Sequence, residues 1–562
     1  MLSESAPFAP TLAVLTVILF LLYKYVVHPA LFSPLSRIPG AHWSTSLSPV
    51  WILWTRYKSM EIRTLHQKHH QLGPVIRLGP NDISVNCVKG GISTVYAGGF
   101  EKHAWYSNLF NNYGVPNMFS TCQGRPHSVR KRMMSNVYSK SYMHGSKAMI
   151  EITTELIYRR LLVRFEEYSS TGKDVDIYKV SSAITMDFVT AFLFGLASSS
   201  NLTMDDERRD WFLELYNSRR KYNFWPHELP NLTKIAKWAC VPLVPKWVDG
   251  ANATIESWTL EMCDGASKAV GQQPSSKIAP SSPDFPIVYA QLDSAIRDGR
   301  SKQDMDSDLA LSPLQRLTIA SEMLDQLAAG FDTSGITLTY AIHELSHHPH
   351  LQNLLRSSLT TLTPPITPLS TPSLPSPKAL DALPLLHAIL YETLRLHAAI
   401  PGAQPRITPG KPCILGTAAN GGEYFDIPAG VRISAQAWSL HRNEEVFPQA
   451  EEWRVGRWLK WRDESGRAGE VVDVEMVGVG ELRWLEVRND VEMNRWFWAF
   501  GSGGRMCIGS NLAMYQMKSI MACLYGNFTT RIVDDEGIEQ RDAYTAPPKG
   551  EKLIIRLEAS AI

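Results

Sequence analysis

The chain has 562 residues, 44% of them hydrophobic, and a formal net charge of +1, enough to bury a large core and too balanced to offer nucleic acid a basic field. No Lys/Arg stripe interleaved with aromatics marks a nucleic-acid groove. Its seven cysteines, Cys87, Cys122, Cys240, Cys263, Cys413, Cys507 and Cys523, are odd in number and scattered, with no Cys-x-x-Cys pair and no zinc spacing, which suits a reducing compartment.

Residues 8–27 are almost wholly apolar, with Lys24 the only charge, and are long enough to span a bilayer. A cleaved signal peptide calls for a basic stretch ahead of the run and a small-x-small site after it, and neither is evident. Glu4 precedes the run while Lys24, His28 and Arg37 follow. The positive-inside rule therefore predicts a single-pass anchor over 1–30, in the endoplasmic reticulum membrane, with the body of the protein in the cytosol. Residues 31–40, which include Pro34, Pro39 and Gly40, read as a stiff, turn-rich hinge. Residues 73–80 and 81–85 read as two short strands joined by a Gly-Pro-Asn turn.

Most of the remainder patterns as helix. Two stretches are expected to be surface loops: 264–308, rich in Ser, Pro and Asp, and 360–377, with six prolines. Between them, Ser312, Pro313 and Gln315 place a capping residue, a first-turn proline and a capping-box partner at the start of a helix expected to end at 348, before Pro349. Midway along it, 328–335 reads Ala-Ala-Gly-Phe-Asp-Thr-Ser-Gly, whose Gly, Asp, Thr and Ser are poor helix-interior residues. A local rule broken in mid-helix points to function. The bland reading is that Thr333 bonds back to a carbonyl one turn earlier while Asp332 is solvated.

Residues 383–397 form an amphipathic helix with Glu392 and Arg395 on one face. Glu-x-x-Arg usually means a solvated ion pair, but this pair stands in an apolar setting. Beyond it come Arg406 after Pro405, the runs 427–431 and 441–443, and Trp453-Arg454-Val455-Gly456-Arg457-Trp458. The stretch 461–490, with its Gly, Val and Glu, fits no element. The run from Phe500 to Gly509 then surrounds Cys507 with glycines, an arginine and an aromatic, and a helix follows over 511–524. Glycines allow positive φ and close backbone approach, so that amide N–H groups can point at a sulfur and keep it ionised. A lone cysteine is more often a small buried hydrophobe; the spacing here is too specific for that.

Phe500, Gly503, Arg505, Cys507 and Gly509 match every defined position of Phe-x-x-Gly-x-Arg-x-Cys-x-Gly, and with it the chain resembles the cytochrome P-450 monooxygenases from about residue 34 to 558. The resemblance implies a mainly α fold with a small β-element: one large haem domain over 41–562, preceded by the anchor and the hinge. Haem b iron would be ligated by Cys507, with Phe500 covering the sulfur side and Gly509 letting the next helix start against the porphyrin. Arg505 and Arg406 would pair with the propionates, with His127 and Lys131 as further candidates at positions where the family commonly has Trp and Arg. Ala329, Gly330, Asp332 and Thr333 resemble the family's Ala-Gly-x-Asp-Thr pattern. Small residues there would leave a gap for dioxygen, Thr333 would hold it with a water, and Asp332 would feed protons. Arg130 and Arg132 read as a basic surface for docking a reductase.

Glu392 and Arg395 would be locked by Arg457, in a segment that departs from the usual Pro-Glu-Arg core. Residues 461–490 would be an insertion, either a surface loop or retained intron; the residues do not separate the two. The implied activity is a membrane-anchored monooxygenase that takes electrons from NADPH-cytochrome reductase and uses O2 to hydroxylate, epoxidise or oxidise a lipophilic small molecule, in the style of filamentous-fungal secondary metabolite biosynthesis. Its pocket walls would come from 105–117, Ala328, Ala329, 398–402 and 544–546. The alternatives are a haem-thiolate isomerase or dehydratase and a non-catalytic haem-binding protein.

Overall fold

An apolar run with no polar face leaves a helix nowhere to hide its side chains in water. Helix α1 (Phe8–Leu22) has this character: it continues as a π-type segment, Tyr23–Phe32, and its side chains from Leu12 to Leu22 are exposed. The stretch Leu12–Phe32 is long and apolar enough to cross a membrane. The computed structural model describes residues 8–271, 278–298, 311–368, 372–471 and 473–560. The chain falls into two units, the first comprising Met1–His103, Gly402–Leu440 and Ser502–Arg505, and the second Ala104–Pro401, His441–Gly501 and Met506–Ile562.

The first unit is built on a five-stranded sheet. Val75–Gly79, Asp82–Val85, Arg432–Ser434, Arg406–Ile407 and Glu101–Lys102 lie side by side in that order, with Asp82–Val85 parallel to Arg432–Ser434 and the other pairs antiparallel. The first two strands are those expected from the sequence. Val75, Ile76, Leu78, Ile83 and Val85 bury both faces. Arg77, in the same strand, is buried among oxygens: it donates to the carbonyls of Pro29, Gly79 and Pro80 and to Ser46 Oγ, tying the end of the apolar segment to the sheet. Burial brings its pKa down to about 10. A hairpin of Cys413–Thr417 and Gly422–Ile427 completes the strands of this unit.

The second unit is mainly helical. Its helices that bear on the site are α2 (Gly124–Met134), α3 (Ile177–Phe194), α4 (Pro313–His347), α5 (Pro384–Leu396) and α6 (Ser510–Asn527). Helix α4 opens on the capping box of Ser312 and Gln315 with Pro313 in its first turn, and stops at His348. Its 35 residues extend roughly 50 Å at 1.5 Å each. Helix α3 is apolar enough to cross a membrane but is buried along its length. Close approach of α3 needs the glycines of α4: a Cβ at Gly330 would stand 2.6 Å from Val189 Cγ2, and one at Gly335 3.1 Å from Ser182 Cα.

Two expectations for the connecting segments change and one holds. Of 264–308, residues 264–271 belong to the helix Lys246–Gly271 and Ile287–Asp298 forms another, because Met262, Cys263, Ala266, Ile287, Val288 and Leu292 give buried stripes that the Ser/Pro/Asp content masked; residues 272–277 and 299–310 lie outside the described residues. The loop over 360–377 is irregular up to a short helix at Pro377–Asp381, with 369–371 outside the described residues. The stretch that fitted no element contributes to a three-stranded antiparallel sheet, Leu459–Arg462 between Ala468–Glu470 and Leu485–Val487. Gly469 lies against the Trp461 ring, where a Cβ would come within 2.6 Å of Nε1.

Candidate active site

Gly501, at φ +67°, turns the chain so that Cys507 N–H donates to the Phe500 carbonyl at 2.9 Å, closing the loop ahead of α6. Only a residue at ease in the left-handed region makes this turn without strain. Cys507 is accessible on one side and ringed by protein on the others, so burial pushes its thiol pKa up; the amide groups of Gly509 and Ser510 and the Lys131 ammonium pull it down. Lys131, on α2, donates to the Met506 carbonyl at 2.9 Å, and burial lowers its own pKa. His127, one turn earlier on α2, is buried. The base of the same helix joins α4 through Arg130, 3.7 Å from the buried Glu322.

A second layer fixes this loop from behind. Trp498 N–H donates to His441 Nε2 at 2.7 Å, so His441 Nδ1 carries the proton and donates to the Arg395 carbonyl at 2.8 Å. Arg395 is fully buried on α5 and forks onto Glu392 through Nε and Nη2 at 2.8 and 2.7 Å. Glu392 also accepts from Arg457 Nε at 3.0 Å, Trp458 Nε1 at 2.8 Å and Arg454 N–H at 2.8 Å. Five donors surround one buried carboxylate. The remaining Arg395 hydrogens reach the carbonyls of His441, Ala450 and Glu452. The frame thus runs from Glu392 through Arg395, His441 and Trp498 to the cysteine loop.

Burial and the nearby Arg395 and Arg442 charges outweigh the bond to the Arg395 carbonyl and hold His441 neutral, with its pKa lowered from 6.5 to about 3. A histidine that gains protons on unfolding stabilises the fold above its unfolded pKa, and that contribution fades as pH falls from 6.5 toward 3, at up to ~1.4 kcal/mol per pH unit. The urea midpoint is therefore expected to fall between pH 7 and pH 5, and to fall less steeply in His441→Gln. An equal slope in the two proteins would exclude His441 as a source of acid lability.

Helix α4 carries the other candidate residues. Ala329 is exposed in mid-helix, and Ala328 and Thr333 are half-buried, so one strip of a mostly buried helix faces accessible space. Thr333 Oγ1 donates to the Ala329 carbonyl at 2.8 Å, the back-bond weighed from the sequence. Asp332, in contrast to the solvated alternative, is buried and pairs through Oδ1 with Arg220 Nη2 at 2.7 Å, while its Oδ2 is buried with no hydrogen-bond partner among the described residues. Arg220 also donates to Thr545 Oγ1 at 2.9 Å and lies over the Tyr216 ring. The expected pocket walls supply an aromatic cluster: Trp105 stacks on His227 at 3.9 Å, and Tyr544 lies 5.2 Å from Trp105 and 5.8 Å from Phe110.

In the first unit, Gly503 and Arg505 form a short 3-10 turn. Gly503, at φ +71°, packs so tightly that a Cβ would come within 2.4 Å of the Tyr96 carbonyl. Arg406 is buried with its guanidinium 4.8 Å from the Tyr96 ring centre, and donates to the Pro405 carbonyl.

One sulfur attended by two amide donors and an ammonium suits a thiolate ligand for haem iron. A family model for cytochrome P450 matches residues 49–555. The chain belongs to the cytochrome P450 family. Cytochrome P450 monooxygenase avaI from Aspergillus versicolor is 28% identical over 453 residues, covering 79% of this chain and 92% of its own length. The cytochrome P450 monooxygenases ucsK from Acremonium sp and sdnE from Sordaria araneosa are 25% and 24% identical, covering 92% and 98% of this chain and 91% and 98% of theirs.

This P450 is therefore a monooxygenase whose cofactor is haem held by a cysteine thiolate. Several residues of the P450 site escaped the sequence. Arg220 stands 112 positions ahead of its partner Asp332 in a stretch with no motif, and nothing local announces it. Trp458 was visible beside Arg457, but its indole N–H bond to Glu392 follows only from the fold. The run 441–443 is visible in the sequence, but the link of His441 to Trp498 follows only from the fold.

Proposed function

We propose that this P450 is anchored in the endoplasmic reticulum membrane by residues 1–30, with the catalytic domain over 41–562 in the cytosol. It receives electrons from NADPH-cytochrome reductase and places one atom of O2 into a lipophilic small molecule in fungal secondary metabolite biosynthesis. The exposed apolar segment Leu12–Phe32 supports the anchor, and the aromatic cluster of Trp105, Phe110, His227 and Tyr544 supports an apolar substrate. The relatives named above come from filamentous fungi, which supports the setting.

The observation that carries the reading is Thr333 on a strip of α4 that faces accessible space, next in the chain to the buried, Arg220-paired Asp332. When bound through Cys507, haem supplies dioxygen activation, with the thiolate pushing electron density to favour O–O cleavage. The chain's own residues do the rest. Thr333 commits its proton to the Ala329 carbonyl, so Oγ1 offers lone pairs and positions a proton-bearing water. Asp332 is fixed at Oδ1 by Arg220 and exchanges protons through Oδ2. With haem bound, Arg505 and Arg406 would offset the propionate charges, with His127 and Lys131 as further candidates, while Phe500, Gly503 and Gly509 would shape the cysteine loop. Glu392, Arg395 and Arg457 hold that loop rigid from behind.

The test is co-expression with a reductase in microsomes, incubation with metabolite extract under oxygen-18 gas, and mass spectrometry. The expected result is an NADPH-dependent product carrying one oxygen-18 atom. Products that form without NADPH, or that take their oxygen from water, would contradict the proposal.

A further inference from the structure

Away from the cysteine loop, three side chains converge where the last turns of α4 meet the turn after strand Phe528–Asp534. His343 and His347, four apart, share one face of α4, and Asp535 closes the group. His343 Nε2 lies 3.2 Å from His347 Nε2 and 3.2 Å from Asp535 Oδ2, and His347 Nε2 lies 3.8 Å from the same oxygen. His343 Nε2 thus faces a nitrogen and a carboxylate oxygen with one position for a proton. A cation among the three atoms satisfies them all.

The spacing fits a particular kind of cation. Around an ion bonded at 2.0–2.1 Å, tetrahedral ligand atoms stand about 3.3 Å apart. The point equidistant from these three atoms lies about 2.0 Å from each, the length of a Zn–N or Zn–O bond. Two imidazoles and one carboxylate select a borderline transition metal over Mg2+ or Ca2+, which take oxygen ligands. We propose that His343, His347 and Asp535 bind one divalent transition-metal ion, best matched by Zn2+, with water completing the coordination.

The surroundings hold the three ligands in place and leave the ion a way in. Tyr340 OH donates to the Ile538 carbonyl at 2.9 Å, Ile538 N–H donates to the Asp535 carbonyl at 3.0 Å, and Ser346 Oγ lies 2.7 Å from Thr530 Oγ1. These bonds fix α4 against the strand and its turn. The neighbouring Asp534 is occupied by Lys552 at 2.6 Å, so Asp535 is the carboxylate turned to the histidines. His343 is largely buried, whereas His347 and Asp535 have side chains 52% and 41% exposed, open to ion and water. His343 lies ten residues past Thr333, roughly 15 Å along the helix. The ion is a clamp on the end of α4, separate from the oxygen chemistry.

The test uses chelator-stripped, haem-loaded full-length protein titrated with ZnCl2. One zinc per chain is expected by elemental analysis, and at a hundredfold excess over Kd the folding equilibrium shifts by about 10²-fold toward the native state, read from urea unfolding. The haem spectrum stays unchanged and MgCl2 gives no such shift. His347→Ala and Asp535→Asn, both at accessible positions, are expected to keep the fold and lose the zinc response. Zinc stabilisation undiminished in both variants, an equal response to magnesium, or no stabilisation of the unaltered protein overturns the proposal.

Discussion

Glu392→Gln is expected to yield little haem-loaded protein, although it changes one atom. Arg395 is fully buried and its charge is balanced by Glu392 alone among the carboxylates it touches. The amide removes that charge and turns an acceptor into a donor facing the N–H groups of Arg395, Arg454, Arg457 and Trp458. Breaking a buried pair from one side costs about 3–5 kcal/mol, a large part of the ~5–15 kcal/mol by which domains are stable. Because the frame reaches the cysteine loop through His441 and Trp498, haem retention falls with stability. Thermal unfolding and haem content per chain measure the effect. Arg457→Ala, which leaves the Glu392–Arg395 fork intact, is expected to cost less. A Glu392→Gln protein with unchanged melting temperature and haem content would show that the frame does not hold the loop.

Thr333→Ala is expected to keep the haem and its spectrum while losing product. The Thr333 hydroxyl is bonded to the Ala329 carbonyl and makes no hydrogen bond to another element among the described residues, so its removal leaves α4 in place. Without Oγ1 the proton-bearing water loses its anchor beside Asp332. NADPH consumption continues, more of it ends as hydrogen peroxide, and product per NADPH falls by up to about 10²-fold, the scale of a lost proton-transfer group. Coupled assays of NADPH, peroxide and product follow the split. Loss of haem would make Thr333 a structural residue; unchanged coupling would mean that protons arrive by another route.

Features specified by a few adjacent residues were legible in the sequence. The capping box of Ser312 and Gln315 marked the start of α4, the Gly-Pro-Asn turn marked the first two strands, and the spacing around Cys507 marked the loop before α6. Each depends on neighbours within about one turn. What was hidden depends on distant partners. Arg220 reaches Asp332 across 112 positions, and His441 joins Arg395 and Trp498 across 46 and 57. Gly330 read as part of a gap for oxygen, yet it is Val189 of α3 that requires its missing side chain; Ala329 provides the accessible face. The sheet around Leu459–Arg462 was missed because its strands have three or four residues and one relies on Gly469 lying flat on Trp461. Such short strands carry too little periodicity to be read alone.

If Cys507 supplies the thiolate that holds haem iron, the spectrum of the reduced, carbon-monoxide-bound protein must report it. A thiolate ligand moves the Soret band far to the red of its position with histidine. The full-length protein is expected to show the shifted band, and Cys507→Ala to lose it. A histidine-type band in the folded, haem-loaded protein, or a shifted band that survives Cys507→Ala, would rule out Cys507 as the iron ligand.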